Sequence, residues 1–498
     1  MPNTPLSLAA LSLAALSLAA CTLLGGCAVG PDYVKPVTAA PAAYKENRDW
    51  KVAQPADTAD RGNWWEVFGD AQLNALAEQV EISNQTVKAA AAQYEQARAL
   101  VESTRAAYFP TIGLNAAATR AQGGRSALAS AGRNATASTG NTVSLSGTAS
   151  WEPDIWGKVR RASEGQASSA QASAADLAAA RLSAQGQLVQ DYFTLRQVDS
   201  QRQLYADTIV AYQKSLQLTR NQYAGGVVAR ADVVAAETQL KAAQAQAIDL
   251  GVQRAQLEHA IALLVGQPAS TFSLPASPLA AVAPPPVPQA GLPSQLLERR
   301  PDVAAAERRV AAANAQIGVA RAAYFPALTL SGSAGYQGSA LANLLSLPNR
   351  FWSIGPALAA TLFDGGARDA QTRQARAVYD QDVALYRQTV LTSFQEVEDS
   401  LAALRILEQQ AVVQDEALQA AQESVRLTLN QYKAGVVSYI NVVTAQATEF
   451  SAARTSVSLL GSRYVASVQL IQALGGGWHA TSLPGPDAVN AADDPALH

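Results

Sequence analysis

Two long stretches of the chain lack the residues that usually end helices, and this constrains the fold more than any other feature of the sequence. Residues 367–434 contain neither glycine nor proline, and residues 158–223 contain no proline and only two glycines. As an α-helix, each run would extend about 100 Å, several times the radius of a compact domain. The sequence therefore predicts an elongated, mainly α-helical molecule.

The chain also repeats itself. The segment Arg-Ala-Ala-Tyr-Phe-Pro occurs at 105–110 and again at 321–326. Asn-Gln-Tyr occurs at 221–223 and at 430–432, and both copies are followed closely by Gly-Val-Val. A chain of 498 residues would ordinarily suggest three or four domains. The duplication predicts instead one architecture built from two repeats.

Both long runs carry an apolar seam with the 3.5-residue spacing of a coiled coil. Its positions are Leu404, Leu407, Ala411, Gln414, Leu418, Ala421, Val425, Thr428 and Tyr432 in the second run, and Leu195, Val198, Arg202, Tyr205, Ile209, Tyr212, Leu216, Thr219 and Tyr223 in the first. A generic amphipathic helix drifts off such a spacing, so a seam in both runs favours coiled-coil packing. Each run ends at a glycine-containing tip. A shorter return helix is expected to follow, at about 228–265 and 438–474.

Four short stretches show the alternation of β-strands, at about 110–119, 142–152, 326–337 and 351–363. Each is long enough to cross a bilayer when tilted, and aromatic residues near their ends are typical of membrane interfaces. A soluble antiparallel sheet is the alternative interpretation. Four strands are too few to close a transmembrane barrel, and open edges are not tolerated in lipid. Strands that cross a membrane would therefore require an oligomer whose protomers share one barrel.

The first 26 residues are small and apolar, which is typical of a secretory signal. Cys27 follows Leu-Gly-Gly and Cys21 follows Leu-Ala-Ala, and both contexts have the form of a bacterial lipoprotein cleavage site. We expect Cys27 to be the acylated residue, although both cysteines could be incidental. No cysteine follows Cys27, so the exported body has no disulfide framework.

Composition argues against other classes of protein. The net charge is −3 and no basic tract stands out, so no nucleic-acid partner is expected. The three histidines, His259, His479 and His498, form no metal-binding pattern. A nucleophile elbow and a phosphate-binding loop are both absent from the sequence. We therefore expect no enzymatic activity, no cofactor and no metal site.

A set of motifs gives the chain a family resemblance. They are Cys-Ala-Val-Gly-Pro-Asp-Tyr at 27–33, Asn-Trp-Trp-Glu-Val-Phe at 63–68, Trp-Glu-Pro-Asp-Ile-Trp-Gly at 151–157, Leu-Glu-Arg-Arg-Pro-Asp at 297–302, Phe-Asp-Gly-Gly at 363–366 and Ala-Leu-Gly-Gly-Gly-Trp at 473–478. With these motifs in this order, the chain resembles the TolC-like outer-membrane efflux channels, in the lipoprotein branch that serves resistance-nodulation-division pumps. The resemblance covers nearly all of the chain after Cys27.

The resemblance implies a homotrimer in the outer membrane of a Gram-negative bacterium. Four strands from each protomer would make one twelve-stranded barrel, and the long helices would form a periplasmic tunnel. The partners implied are a periplasmic adaptor protein, an inner-membrane resistance-nodulation-division pump and outer-membrane lipid. The function implied is a passive exit duct for small molecules. The alternatives are a type I secretion channel for proteins and a periplasmic coiled-coil scaffold without a pore.

The expected organisation has six segments. They are a signal peptide at 1–26, an extended anchor segment at 27–67, the first repeat at 68–266, a proline-rich equatorial linker at 267–293, the second repeat at 294–474 and a tail at 475–498. Each repeat is expected to contain an upper helix, two strands, a long helix and a return helix.

The resemblance also implies two sets of site residues. The adaptor-contacting tips are Gly226, Val227, Val228, Ala229, Gly435, Val436, Val437 and Ser438. The periplasmic gate is Asp232, Tyr432, Ile440, Asn441 and Thr444. Asn441 and Thr444 occupy positions where some members carry acidic residues, which predicts weak cation selectivity here. The alternative interpretations are simple turns for the tips and a helix N-terminal carboxylate for Asp232.

Overall fold

The computed structural model describes residues 29–38, 41, 43–47, 62–122, 139–279 and 293–489. This part of the chain is mostly helical with one four-stranded antiparallel sheet, which confirms the predicted fold class. The helices are α1 Ala71–Ser83, α2 Gln85–Arg105, α3 Lys158–Ala224, α4 Arg230–Leu264, α5 Pro293–Arg299, α6 Pro301–Ala322, α7 Ala367–Lys433, α8 Tyr439–Ala473 and α9 Pro486–Val489. The strands are β1 Thr111–Gln122, β2 Thr139–Trp151, β3 Ala327–Gly338 and β4 Arg350–Ala359. Cys21 and Cys27 lie outside the described residues.

Two helices of 67 residues each, α3 and α7, extend through the whole helical part. In the half nearer the sheet, α2 packs on α3, and α6 packs between α3 and α7. In the half nearer the tips, α4 packs on α3, and α8 packs between α3 and α7. The helices therefore form a layer that is four helices wide. Across it, α2 continues the path of α4 and α6 continues the path of α8. No helix in the described ranges is both long and apolar enough to cross a membrane.

The predicted seam lies mostly on the packed faces of α3 and α7. All nine positions in α7 are buried or half-buried, and so are seven of the nine in α3. Arg202 is exposed, since a guanidinium group is costly to bury without a partner. Tyr223 is 47% exposed, whereas its equivalent Tyr432 is only 3% exposed. The two repeats therefore differ at their tips.

The upper helix of each repeat is broken, although the sequence suggested one continuous helix. In the first repeat the break is at Asn84, whose extended backbone separates α1 from α2. In the second it lies between α5 and α6, because the residue before Pro301 is disfavoured in a helix. Both breaks occur where a return helix ends, α4 in the first repeat and α8 in the second.

At the first of these junctions, Asn84 serves two helices at once. Its Oδ1 accepts hydrogen bonds from the N–H groups of Thr86 and Val87 at the start of α2, at 2.9 and 3.0 Å. Its Nδ2 donates to the carbonyl oxygen of Leu264 at the end of α4, at 2.8 Å. Asn84 therefore satisfies backbone groups that neither helix can pair internally.

Arg300 occupies the corresponding place in the second repeat. Its Nη1 donates to the carbonyl oxygen of Ala473 at the end of α8, at 3.2 Å, and its Nε donates to Asp302 in the first turn of α6, at 2.9 Å. A glycine follows each return helix, and its missing side chain permits the close approach. A Cβ on Gly266 would lie 2.4 Å from the Ser83 oxygen, and one on Gly475 would lie 1.9 Å from the Arg299 oxygen.

The strands pair in the order β1-β2-β3-β4, so β1 and β4 are the edges. The first pair is longer at its loop end than the sequence predicted, because Arg120 to Gln122 pair with Asn141 to Thr139. The prediction that the fourth strand reaches residue 363 is wrong. Ala359 pairs with Ala327, the first residue of β3, so residues beyond 359 have no partner strand there.

Candidate functional site in the sheet and at the helical tips

The sheet has two chemically different faces. The register aligns Ile112 and Leu114 of β1 with Ala149 and Gly147 of β2, so all four lie on one face. The same face of β4 carries Trp352, Ile354 and Leu358, which are 72%, 77% and 70% exposed. Large apolar side chains that remain this exposed mark a surface in contact with lipid or another protein.

The opposite face of the sheet is lined by hydroxyl and amide groups. Its residues include Thr111, Asn115, Thr142, Ser144, Ser146, Thr148, Thr329, Ser331, Ser333 and Ser353. Some of them contact each other across strands. Ser333 and Ser353 lie opposite each other with their hydroxyl oxygens 2.8 Å apart, and Asn115 Nδ2 donates to Thr148 Oγ1 at 3.3 Å. This face suits contact with water.

The ends of the long helices form two similar turns. After α3, the Gly226 N–H donates to the Tyr223 oxygen and the Val227 N–H donates to the Gln222 oxygen, both at 2.9 Å. After α7, Gly435 and Val436 make the same two bonds at 3.0 and 2.9 Å. This is the Schellman motif, which requires a positive φ, and φ is 71° at Gly226 and 73° at Gly435.

These turns leave part of the predicted tip residues on the surface. Val227 and Val436 are 69% and 72% exposed at the far end of the molecule. Gly226, Ala229, Gly435 and Ser438 are also exposed. Val228 and Val437 instead pack against the cluster of apolar residues between the helices. Two exposed valines, one at each turn, are therefore available to a partner.

Tyr432 joins the two helical hairpins, α3–α4 and α7–α8, near the tips. Its hydroxyl group lies 3.5 Å from Thr219 Oγ1 on α3, and its ring lies 5.3 Å from the ring of Tyr439 on α8. Burial raises the pKa of Tyr432 above its ordinary value. The phenol is thus enclosed and neutral where α3, α7 and α8 meet.

Asp232 has a local partner instead. Its carboxylate accepts a hydrogen bond from the Ala229 N–H at 3.3 Å, at the start of α4. A carboxylate in the first turn of a helix is favoured by the helix dipole. Asp232 still influences Tyr432, because its negative charge contributes to the raised phenol pKa. The structure brings these two residues into one region without a hydrogen bond between them.

The other predicted gate residues share a surface of α8. Ile440, Asn441 and Thr444 are exposed, and Ile440 is exposed to 57%. Val442 and Gln446, on the opposite surface of the helix, are buried against the neighbouring helices. The three candidate residues therefore face away from the protomer interior.

Sequence reasoning missed the polar contacts between the hairpins. Gln446 Nε2 on α8 donates to Ser215 Oγ on α3 at 3.2 Å, and both side chains are buried. Thr219 is fully buried beside them. The only signal in the sequence was a set of polar residues at helical spacing within an apolar seam, which does not identify the partner on another helix.

An N-terminal strap, residues 29–38, attaches to the helices beside the sheet. The Val29 N–H donates to the Trp156 oxygen at 3.1 Å, and Asn314 Nδ2 donates to the Pro31 oxygen at 3.0 Å. Asp32 forms an ion pair with Arg161 at 2.7 Å, and the Arg161 side chain is only 5% exposed. The hydrogen bond from Arg161 holds the pKa of Asp32 below its ordinary value.

Comparison with known proteins identifies the family. Residues 76–267 and 292–476 match the model of the outer membrane efflux protein family. The chain is 30% identical over 469 residues to the probable efflux pump outer membrane protein TtgC of Pseudomonas putida, covering 92% of this chain and 94% of that protein. It is 31% identical over 461 residues to the outer membrane protein OprJ of Pseudomonas aeruginosa, covering 91% and 94%.

The fold agrees with these matches. The solved structure of the outer-membrane channel OprN has a TM-score of 0.84 and 30% identity, with 91% of this chain and 100% of that chain covered. A layer of long helices below a four-stranded sheet is therefore shared with a known channel. This chain belongs to the outer membrane efflux protein family.

Proposed function

We propose that this chain is the outer-membrane exit duct of a tripartite efflux pump and that it conducts small molecules passively from the periplasm to the outside. The observation that supports this most strongly is the sheet, which has an exposed apolar face and a face of hydroxyl groups. In a membrane, the first face suits lipid and the second suits a water-filled pore. The helices α3 and α7 extend the same wall by about 100 Å.

The duct is a homotrimer in this proposal. A single sheet has open edges at β1 and β4, and lipid does not tolerate unpaired edges. Three copies closing edge to edge give a barrel of twelve strands. The outer flanks of the helical layer, α4 and α7, then meet between protomers to form the tunnel.

The N-terminus is anchored by acylation of Cys27 in this proposal. The strap supports it, because Val29 bonds to Trp156, which follows β2 at the helical end of the sheet. Cys27 is two residues upstream of Val29, so the lipid would enter the leaflet next to the strand ends. The extended anchor segment thus connects the lipid to the channel wall.

The tips contact a periplasmic adaptor, and an inner-membrane pump of the resistance-nodulation-division type supplies the cargo. Exposed Val227 and Val436 support an apolar contact at the tips. Relatives are named for the efflux of antibiotics, toluene and cations. Such varied cargo fits a duct whose pump chooses the substrate. Asn441 and Thr444 give the narrow end weak cation selectivity.

The duct is gated where the hairpins meet. Tyr432 contacts Thr219 across the hairpins, and Asp232 lies in the same region. Adaptor docking separates the hairpins and opens the narrow end, where Ile440, Asn441 and Thr444 line the passage. Weakening the contacts in the absence of adaptor then increases the resting leak.

Single-channel recording in planar bilayers tests both duct and gate. Tyr432→Phe is expected to raise the resting conductance on the order of fivefold, for the loss of a contact with Thr219 worth about 1 kcal/mol. Asp232→Ala should raise it less, because the hydrogen bond that it removes lies within one turn. Tyr223→Phe is the matched control, because Tyr223 is the equivalent residue of the first repeat and is exposed. It should leave conductance unchanged.

The outcomes separate the two claims. Absence of any conductance in the wild-type protein would contradict the duct and favour a scaffold without a pore. Wild-type conductance that neither substitution alters would remove Tyr432 and Asp232 from the gate and leave the duct intact.

A further inference from the structure

The charges on the sheet are few and all of one sign. The four strands carry two charged side chains, Arg120 in β1 and Arg350 in β4. Acidic residues are absent from the whole of 109–151 and 325–363, in a chain with 40 acidic and 37 basic residues. The connecting segment 123–138 adds two further arginines to the sequence of this region. The charged residues of this region are therefore all cationic, which favours an anionic partner.

Both arginines lie at the same end of the sheet. Arg120 is two residues before the end of β1, and Arg350 is the first residue of β4. The connections between paired strands leave from this end, whereas the helices join the opposite end. In the proposed duct, this end of the sheet reaches the outer leaflet of the membrane.

The register places both arginines on the apolar face. Strand alternation puts Arg120 on the side of Ile112 and Leu114, and Arg350 on the side of Trp352 and Ile354. Both side chains are exposed, and neither has an ion-pair partner among the described residues. A charge on a lipid-facing surface is costly near the bilayer centre and costs little at the interface, where headgroups can bind it.

Strand order brings the two arginines together in the assembled duct. β1 and β4 are opposite edges of the sheet, so closure into a trimer places β4 of one protomer beside β1 of the next. Each of the three boundaries then carries one Arg120 and one Arg350 near its outer end. Tyr336, opposite Arg350 in the register, and nearby Trp352 supply aromatic rings of the kind found at membrane interfaces.

We propose that Arg120 of one protomer and Arg350 of the next bind the phosphate monoester groups of anionic lipids in the outer leaflet, at three equivalent positions around the barrel. A guanidinium group suits this role because it stays charged and offers paired N–H donors to phosphate oxygens. The proposal rests on the proposed function, since it requires the sheet to span the outer membrane. The lipid site then lies where β4 of one protomer meets β1 of the next and the barrel closes.

The test measures lipid retention by the intact trimer. Protein is reconstituted in phosphatidylcholine nanodiscs with or without diphosphoryl lipid A, released into mild detergent, and its bound lipids are counted by native mass spectrometry. The wild-type protein is expected to retain diphosphoryl lipid A in preference to phosphatidylcholine. Arg120→Gln and Arg350→Gln should each weaken retention about fivefold, the factor for about one cationic contact at an anionic membrane surface.

Two further variants control the comparison. Arg120→Lys with Arg350→Lys keeps the charge and loses the paired donors, so it should retain more lipid than the glutamine variants. Arg202→Gln removes an exposed arginine from α3, far from the sheet, and should change nothing. Inorganic phosphate added at the same phosphate concentration should not displace the lipid, because the site is built for a headgroup held in the membrane.

Two results would overturn the proposal: equal retention by wild-type and glutamine variants, or displacement of the lipid by inorganic phosphate. Equal retention together with a shifted reversal potential in the glutamine variants would place the arginines on the pore side. Conductance measured in parallel keeps the proposed function separate. A conducting protein with unaltered lipid binding contradicts the lipid sites alone, and a protein without conductance contradicts the duct.

Discussion

At the scale of single residues, the junction between α4 and α2 depends most clearly on the side chain of Asn84. This side chain is 4% exposed and caps the start of α2 and the end of α4 together. Asn84→Ala should lower the free energy of unfolding by about 2 kcal/mol, because an N-cap is lost and the Leu264 carbonyl is left without its donor. The thermal unfolding midpoint of detergent-solubilised protein, followed by helical circular dichroism, measures the effect.

Two further substitutions, one at Asn84 and one at the next residue, make this prediction specific. Asn84→Asp keeps the acceptor for α2 but sets a carboxylate against the C-terminal end of α4, so it should also destabilise. Gln85→Ala, at the adjacent exposed position, should change stability by less than about 0.5 kcal/mol. An Asn84→Ala midpoint equal to that of Gln85→Ala would show that the junction does not depend on the side chain.

At the scale of elements, the strap of residues 29–38 is held by an acid-sensitive ion pair. Arg161 lowers the pKa of Asp32, so the folded carboxyl group holds its proton less tightly than in the unfolded chain. The stability that this ion pair adds to the folded strap is therefore fully present above the ordinary pKa of 3.8, and it is lost as the pH falls through the lowered pKa of the folded state. Asp32→Asn should remove it at every pH.

Hydrogen exchange of the strap peptide measures this effect. At neutral pH, Asp32→Asn should exchange faster than wild type, up to about fivefold for an ion pair with an exposed partner. Asp369→Asn breaks an exposed ion pair on α7 and is the matched control. Identical strap exchange in Asp32→Asn and wild type would mean that the backbone contacts of Val29 and Pro31 suffice.

At the scale of the whole molecule, both flanks of the helical layer carry exposed apolar side chains that the described part of the protomer does not cover. Ile248 and Val252 on α4 are 77% and 57% exposed, and Val412 and Val413 on α7 are 60% and 66% exposed. Surfaces of this kind mark protein interfaces. Ile248→Glu should therefore reduce the trimer fraction, because assembly would bury an unpaired carboxylate. Light scattering in detergent gives the mass of the assembly.

A conservative change and a change on the opposite flank complete the trimer experiment. Ile248→Val keeps an apolar side chain and should remain trimeric. Val412→Glu alters the other side of the proposed boundary and should act like Ile248→Glu. Trimers that persist in both glutamate variants would contradict contact between α4 of one protomer and α7 of the next.

Much of the architecture follows from local sequence. Long runs without helix-breaking residues predict α3 and α7, and the Tyr-Phe-Pro copies mark the change from helix to strand. The ends of the strands were less predictable, because pairing depends on where the partner strand begins: β4 ends at Ala359 since β3 begins at Ala327. The boundaries of the two repeats, at 68–266 and 294–474, stay predictions.

The features of the candidate site also divide into those that local sequence predicts and those that depend on packing. Each Schellman turn follows from a glycine that can adopt positive φ, which is a property of one residue and its neighbours. The burial of Tyr432 and the exposure of Tyr223 do not follow, because the two tips have the same Asn-Gln-Tyr motif. Packing distinguishes them, because Tyr432 contacts Thr219 on α3 and Tyr439 on α8. The repeated elements follow from the amino-acid sequence, since helix and strand patterns are local. Which copy of each motif is buried follows from the packing of the chain, since burial depends on the neighbouring helix.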